Sequence, residues 1–186
     1  NFRKLILATS KDIRVLLVKI ADRLHNMRTL NSVKSLTKRQ RIGKETMEIY
    51  APLADRMGMN HIRDELEDLS FAVLNPEARD LIVNRLSLNK DIREKNFNDI
   101  SKKFARILQE NGIKSEIVGR EKTPFSIWRK MQSKRVSLEQ LSDVIGFRII
   151  VNDLKTCYQV LGVFHIQWSI IPGKFKDYIS TPKINN

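Results

Sequence analysis

The sequence predicts an α+β protein, with an all-helical block up to about residue 112 followed by an α/β block. Three observations predict it. In the first block apolar residues recur at the helical period of 3.6. After Gly112 the period changes to two, with Ile113, Ser115, Ile117 and Gly119 alternating with Lys114, Glu116 and Val118. Finally, the short and mostly β-branched run Val144-Ile145-Gly146-Phe147-Arg148-Ile149-Ile150-Val151 reads as a buried strand. At 186 residues, 41% apolar and 30% charged, the chain can build a sizeable core in one or two domains, and its composition is not that of a disordered segment.

Residues 1–9 read as the end of a helix. Asp12 is a plausible N-cap for a helix over about 13–31, whose apolar positions are Ile13, Leu16, Leu17, Ile20, Leu24 and Met27. A second helix covers about 38–57 and carries Ile42, Ile49 and Leu53. Pro52 is expected to kink it and Gly58 to cap it. Asn60 or His61 opens a helix to about 74, which Asn75-Pro76 ends. A long helix then covers about 77–111, broken near Leu88-Asn89. Beyond the strand near 113–119, Pro124 begins a helix over 124–134. Ser137 is a candidate cap for a short helical piece, and Asp153 caps a helix of about 154–169. From Gly173 to Asn186 the chain is a polar, cationic loop. The period change places a boundary near 110–113.

The formal net charge is +13. Residues 1–31 carry seven Lys/Arg against two Asp/Glu, residues 32–112 carry 15 against 13, and residues 113–186 carry 12 against six. Both ends are basic and the middle is nearly neutral. That distribution suits polyanion partners such as nucleotides or phosphorylated ligands. A generally basic protein from an AT-rich coding sequence is the alternative. A specific nucleic-acid ligand is not expected, because no helix-turn-helix signature or aromatic-basic motif accompanies the charge. No stretch approaches the roughly 18 apolar residues of a membrane span, and the start does not resemble a signal peptide. The chain begins with Asn, so a piece of a longer chain or a processed product is expected. The lone Cys157 makes no internal disulfide, which suits a cytoplasmic protein, and a buried structural thiol is expected there. His61 has no His or Cys near it in sequence, so no metal role is expected of it.

Two constellations could carry chemistry. Arg120, Lys122 and Arg129-Lys130 precede Asp143, which stands at the mouth of the 144–151 strand. Polyphosphate chemistry needs such a set: cations neutralise phosphate oxygens, and a carboxylate holds a hard metal that bridges them. On spacing alone, a basic surface helix beside an ordinary strand is the commoner explanation. On the first helix Asp22 and Asn26 share a face, with Thr29 three residues further on. Such a set could hold a metal and orient a water, although a solvated polar stripe is more common.

Read together, the motifs resemble the RelA/SpoT family, the bacterial enzymes that make and degrade (p)ppGpp, over essentially the whole chain. Lys19-Ile20-Ala21-Asp22-Arg23-Leu24-His25-Asn26-Met27-Arg28-Thr29-Leu30 is similar to the last motif of the family's HD-type hydrolase. Ala51-Pro52-Leu53-Ala54 to Met57-Gly58, then Glu65-Leu66-Glu67-Asp68-Leu69-Ser70-Phe71, resemble its linker. Gly119-Arg120 with Lys122, Asp143 before Ile145-Gly146-Phe147-Arg148, and Gly173-Lys174-Phe175-Lys176-Asp177-Tyr178-Ile179 resemble its synthetase core.

The resemblance implies three segments. Residues 1–60 would be the end of the hydrolase domain and 61–112 a helical linker. Residues 113–186 would be the first part of a nucleotidyltransferase-like synthetase domain. It implies transfer of pyrophosphate from ATP to the 3′-hydroxyl of GDP or GTP. Arg120, Lys122, Lys130 and Arg148 would serve ATP, Asp143 would hold Mg²⁺, and Lys174, Lys176, Lys183 and Asn185 would grip the guanine nucleotide. The Lys-Phe-Lys-Asp version of that last loop resembles the basic form found in the family's bifunctional members. Asp22 would be a ligand of the hydrolase's Mn²⁺, with Asn26 and Thr29 touching nucleotide.

The chain also departs from the family pattern. The histidines, the HD pair and the Glu-Asp pair of the hydrolase have no counterpart before Asp22, so that Mn²⁺ site is expected to be incomplete. The guanine-stacking tyrosine and the second catalytic acid of the synthetase lie beyond the pattern present here. Weak or absent turnover by the chain alone is therefore expected, and a nucleotide-binding or complementing piece of a split RelA/SpoT protein is the alternative.

Overall fold

The computed structural model describes residues 12–88, 90–141 and 144–182. In chain order they form α1 (Ile13–Arg28), α2 (Leu36–Glu45), α3 (Ala51–Arg56), α4 (Asn60–Leu74), α5 (Pro76–Leu88), α6 (Lys90–Glu110), β1 (Glu116–Glu121), α7 (Pro124–Lys134), β2 (Ile145–Ile150) and α8 (Leu154–Gln167). The described residues are mostly helical and form one two-stranded sheet. Its contacts divide it into two compact units, Asn1–Lys90 with Glu121–Val144, and Asp91–Arg120 with Ile145–Asn186. No helix among the described residues is long and apolar enough to cross a membrane.

In the first unit Asp12 caps α1 as the sequence predicts, and Ser35 and Thr123 cap two further helices. The Asp12 carboxylate accepts from the Arg14 N–H at 2.9 Å, Ser35 Oγ from the Lys38 N–H at 3.3 Å, and Thr123 Oγ1 from the Ser126 N–H at 3.2 Å, with Pro124 opening α7. Each satisfies a helix N–H that has no intrahelical partner. Between α2 and α3 the helix widens into a single π turn, Thr46–Tyr50. Pro52 stands two residues past the turn, near the start of α3. Its missing N–H and its clash with the carbonyl four residues earlier are absorbed by that wider turn.

The core of this unit has two clusters. Leu16, Ile20, Leu24 and Met27 of α1 meet Leu30, Ala51, Ala54 and Leu66. Phe71, Ile82, Phe125 and Ile127 form the other. There Phe71 lies 5.6 Å from Phe125 and 5.2 Å from Trp128, ring centre to ring centre. Thus α7, from the segment after the predicted boundary, packs on α4 and α5. Among the acids, Glu67 of α4 is buried. Burial pushes its carboxyl up, partly opposed by the Arg129 and Arg63 guanidiniums, with Arg129 Nη1 3.9 Å away. A carboxyl whose pKa rises on folding costs stability as pH climbs past its unfolded value of about 4.5. Glu67→Gln is therefore expected to flatten the loss of stability above that pH. Urea unfolding midpoints at pH 4 and 7 check this, and an unchanged pH dependence contradicts it.

In the second unit the strands run antiparallel. Within the first unit, the Lys122 N–H donates to the Val144 carbonyl at 3.0 Å. On the strand pair itself, the Arg120 carbonyl is 3.9 Å from where a Gly146 Cβ would stand. The pairing thus falls on residues whose numbers rise on one strand and fall on the other. The covered face is aromatic. Phe97 of α6 stacks on Phe147 of β2 at 5.0 Å, and Phe104 meets Phe147, Phe164 and Trp168 edge-on. Gly119 belongs to this face.

Several expectations are corrected here. The 113–119 strand begins at Glu116, because the turn at Gly112 (φ +69) uses the Ile113 N–H to close α6 onto the Leu108 carbonyl at 2.9 Å. β2 is not a strand buried on both faces: Gly146, Arg148 and Ile150 are exposed, since the aromatic layer covers only the other side. The helical piece after Ser137 is a turn, in which the Ser137 N–H donates to Gln140 Oε1 at 2.9 Å. Cys157 is exposed, not a buried thiol, because α8 turns only Val160 fully inward. The helix over residues 1–9 lies outside the described residues.

Candidate functional site

Arg120 and Arg148 occupy one face of the two-stranded sheet. On β1 the exposed positions include Val118 and Arg120, and on β2 they are Gly146, Arg148 and Ile150. With Arg120 opposite Gly146, Arg148 stands opposite Val118, so the two arginines are diagonal neighbours on the open side. Diagonal positions of a sheet lie within reach of long side chains, at about 7–8 Å. Guanidinium forks match phosphate oxygens geometrically, so two of them on one open face suit a phosphate ligand.

Lys122 and Lys130 belong to the first unit. Lys122 follows β1, and its N–H bonds to Val144, the residue after Asp143. Lys130 is half-buried on α7. Asp143 itself, with Lys183 and Asn185, lies outside the described residues.

Lys174 and Lys176 are exposed in the loop that follows α8, where Gly173 turns the chain with φ +72 and the Lys174 N–H donates to the Ile171 carbonyl at 3.1 Å. Beneath this loop, against α8, is a largely apolar cavity of about 270 Å³, whose lining includes Tyr158, Leu161, Phe164, Phe175 and Lys176. The loop is held by Asp177, a residue to which the sequence reading assigned no role. Its Oδ1 accepts from the Ile179 N–H at 2.9 Å and the Ser180 N–H at 3.0 Å. Tyr158 of α8 donates its hydroxyl to Oδ2 at 3.1 Å. The aspartate's bonds to residues two and three ahead are a local turn pattern that sequence could signal. The tyrosine is 19 residues away and carries no such signal.

These donors, above all Ser180, hold the Asp177 carboxyl down to about 2, from an ordinary value of 3.8. Because the folded value is the lower one, the loop contacts are fully favourable above about pH 3.8 and weaken as pH falls through about 2. Carboxyl carbon NMR is expected to find Asp177 titrating near 2. A midpoint near 3.8 would show that these contacts are not formed.

On α1, Asn26 Nδ2 donates to Asp22 Oδ2 at 3.3 Å, and Thr29 Oγ1 donates back to the His25 carbonyl at 3.1 Å. Asp22 and Asn26 thus share a face as the spacing predicts, and both are exposed. Among the described residues no three His, Cys, Asp or Glu side chains group as metal ligands.

Two family models match the chain. The region found in RelA / SpoT proteins matches residues 119–186, and an HD domain matches residues 1–60. The chain is 52% identical over 189 residues to the GTP pyrophosphokinase rsh of Brucella melitensis, spanning all of this chain and 25% of that protein. It is 46% identical over 185 residues to the GTP pyrophosphokinase of Myxococcus xanthus, spanning all of this chain and 24% of the relative. It is also 46% identical over 185 residues to the bifunctional (p)ppGpp synthase/hydrolase SpoT of Escherichia coli, with 26% of that protein covered. The chain thus spans about a quarter of the length of the curated relatives it matches.

Proposed function

Since the chain belongs to the RelA/SpoT family, we propose that it supplies the cationic side of a pyrophosphoryl transfer from ATP to the 3′-hydroxyl of GDP or GTP. In this reading residues 113–186 begin a nucleotidyltransferase-like domain. Arg120, Lys122, Lys130 and Arg148 hold the donor phosphates, while Lys174 and Lys176, with Lys183 and Asn185, hold the acceptor. Asp143 is the carboxylate for Mg²⁺, which when bound would neutralise charge on the bridging phosphate oxygens. The observation that carries the reading is the pair Arg120 and Arg148 on the open face of the sheet. Preorganised cations lower a barrier when they stand where phosphate charge gathers, because they need not reorganise during the reaction.

Titration calorimetry with a non-hydrolysable ATP analogue and Mg²⁺ tests this. Arg120→Ala and Arg148→Ala are each expected to weaken binding about tenfold, the order expected of one charge-assisted contact. Equal affinity of both variants and the unsubstituted chain would remove the assignment.

A second reading is a segment that binds nucleotide without turnover of its own. Thin-layer separation of products from labelled ATP and GDP distinguishes the two: labelled (p)ppGpp supports the enzyme, and binding without product supports the second.

A further inference from the structure

We infer that Tyr158 and Asp177 form a clasp that positions the Lys174–Lys176 loop for guanine-nucleotide binding, with Tyr158 acting as a positioning residue that touches no substrate. The inference rests on the proposed function, since it assigns this loop to the acceptor.

Apolar packing of the loop on α8 includes the Phe175 ring, edge-on to His165 at 5.6 Å, but it is loose. Between Trp168 and Pro182 no helix or strand forms, and its apolar side chains are poorly covered, Phe175 at 47%, Tyr178 at 49% and Ile179 at 42% exposure. The cavity of about 270 Å³ between the loop and α8 leaves that contact incompletely packed. Hydrophobic burial therefore contributes less here than in the aromatic layer beneath the sheet.

Polar bonds take its place. Asp177 gathers the Ile179 and Ser180 N–H groups on Oδ1 and the Tyr158 hydroxyl on Oδ2, and its own carbonyl accepts from the Thr181 N–H at 3.2 Å. The first two bonds shape the loop. The third ties it to a rigid element, because Tyr158 sits in the first half of the 14-residue helix α8, and it adds a directed polar bond to the Phe175–His165 ring contact with the same helix. Asp177 directly follows Lys176, so fixing its carboxylate against α8 sets where the preceding lysine leaves the backbone. Without the tie a correctly shaped loop would still sample several placements. Its lysines would then lose part of their binding free energy to ordering the loop.

Tyr158→Phe deletes the one hydroxyl and keeps the ring against the cavity. Two measurements on the full chain read the result: hydrogen exchange at the Ile179 and Ser180 amides, and calorimetric titration with GDP and separately with a non-hydrolysable ATP analogue. Loop amide exchange is expected to rise several-fold and the GDP dissociation constant about tenfold, with ATP-analogue affinity unchanged. Asp177→Asn, which keeps one carbonyl acceptor, is expected to fall between the two, and it serves if the phenylalanine variant does not fold. An unsubstituted chain that binds GDP, with both variants binding it equally well, overturns the clasp and leaves the functional reading standing. Failure of the unsubstituted chain to bind GDP at millimolar concentration overturns both. An equal loss of GDP and ATP-analogue affinity would show a general structural defect and also overturn the positioning role.

Discussion

Phe71→Ala is expected to destabilise the chain by about 3–5 kcal/mol, the range for truncating a buried aromatic. Phe71 is 1% exposed and sits where three elements of one unit meet. It belongs to α4, touches the Phe125 and Trp128 rings of α7, and shares its cluster with Ile82 of α5. Removing the ring loses its burial, and it also leaves a void that the surrounding helices cannot collapse into without shifting. Part of the aromatic pairing, worth about 0.5–1.5 kcal/mol per pair, goes with it. Phe71→Leu, which keeps most of the volume, is expected to cost less than half as much. Chemical denaturation of the two variants checks the order. A loss below about 1 kcal/mol for the alanine variant would mean that this cluster does not hold α7 against α4 and α5.

Gly119→Val is expected to cost about 1–3 kcal/mol through overpacking. The reason lies in one close approach. A Cβ at residue 119 would stand 1.8 Å from the Phe97 ring, and that ring is stacked on Phe147 at 5.0 Å with an 8° tilt. Either the ring leaves its stack or β1 moves away from α6. In the second case Arg120, the next residue, moves too, and ATP-analogue affinity falls with stability. The cause can be isolated with a cycle of substitutions. Once Phe97→Ala has removed the ring, Gly119→Val should cost distinctly less, a coupling of about 0.5 kcal/mol or more between touching residues. Additive effects, measured as unfolding midpoints, would show that the glycine is needed for something other than this ring.

These two positions mark a limit of sequence reading. Phe71 and Gly119 were both legible as parts of family-like motifs. Their reasons were not, because each is defined by a residue far along the chain: Trp128 for one, Phe97 for the other. The same holds for the corrected elements. Cys157 reads as buried by helical period, but period says which residues share a face and not whether anything covers it. The run 144–151 reads as a buried strand by composition, whereas only one of its faces meets the aromatic layer.

What the amino-acid order determined by itself was whatever depends on neighbours within about four residues. Asp12, Ser35, Thr123 and Asp153 accept N–H groups two or three positions ahead. Gly112 and Pro124 set their own backbone, and Asp22 meets Asn26 one turn on. The family motifs were equally readable, since they are strings. Only the tertiary structure decided that α7 packs on α4 and α5, that Gly119 lies beneath the Phe97 ring, that Arg120 and Arg148 share the open face of one sheet, and that Tyr158 reaches Asp177. Those pairings depend on how strands register and helices dock. Burial drives both without regard to distance along the chain, and so no local pattern records them.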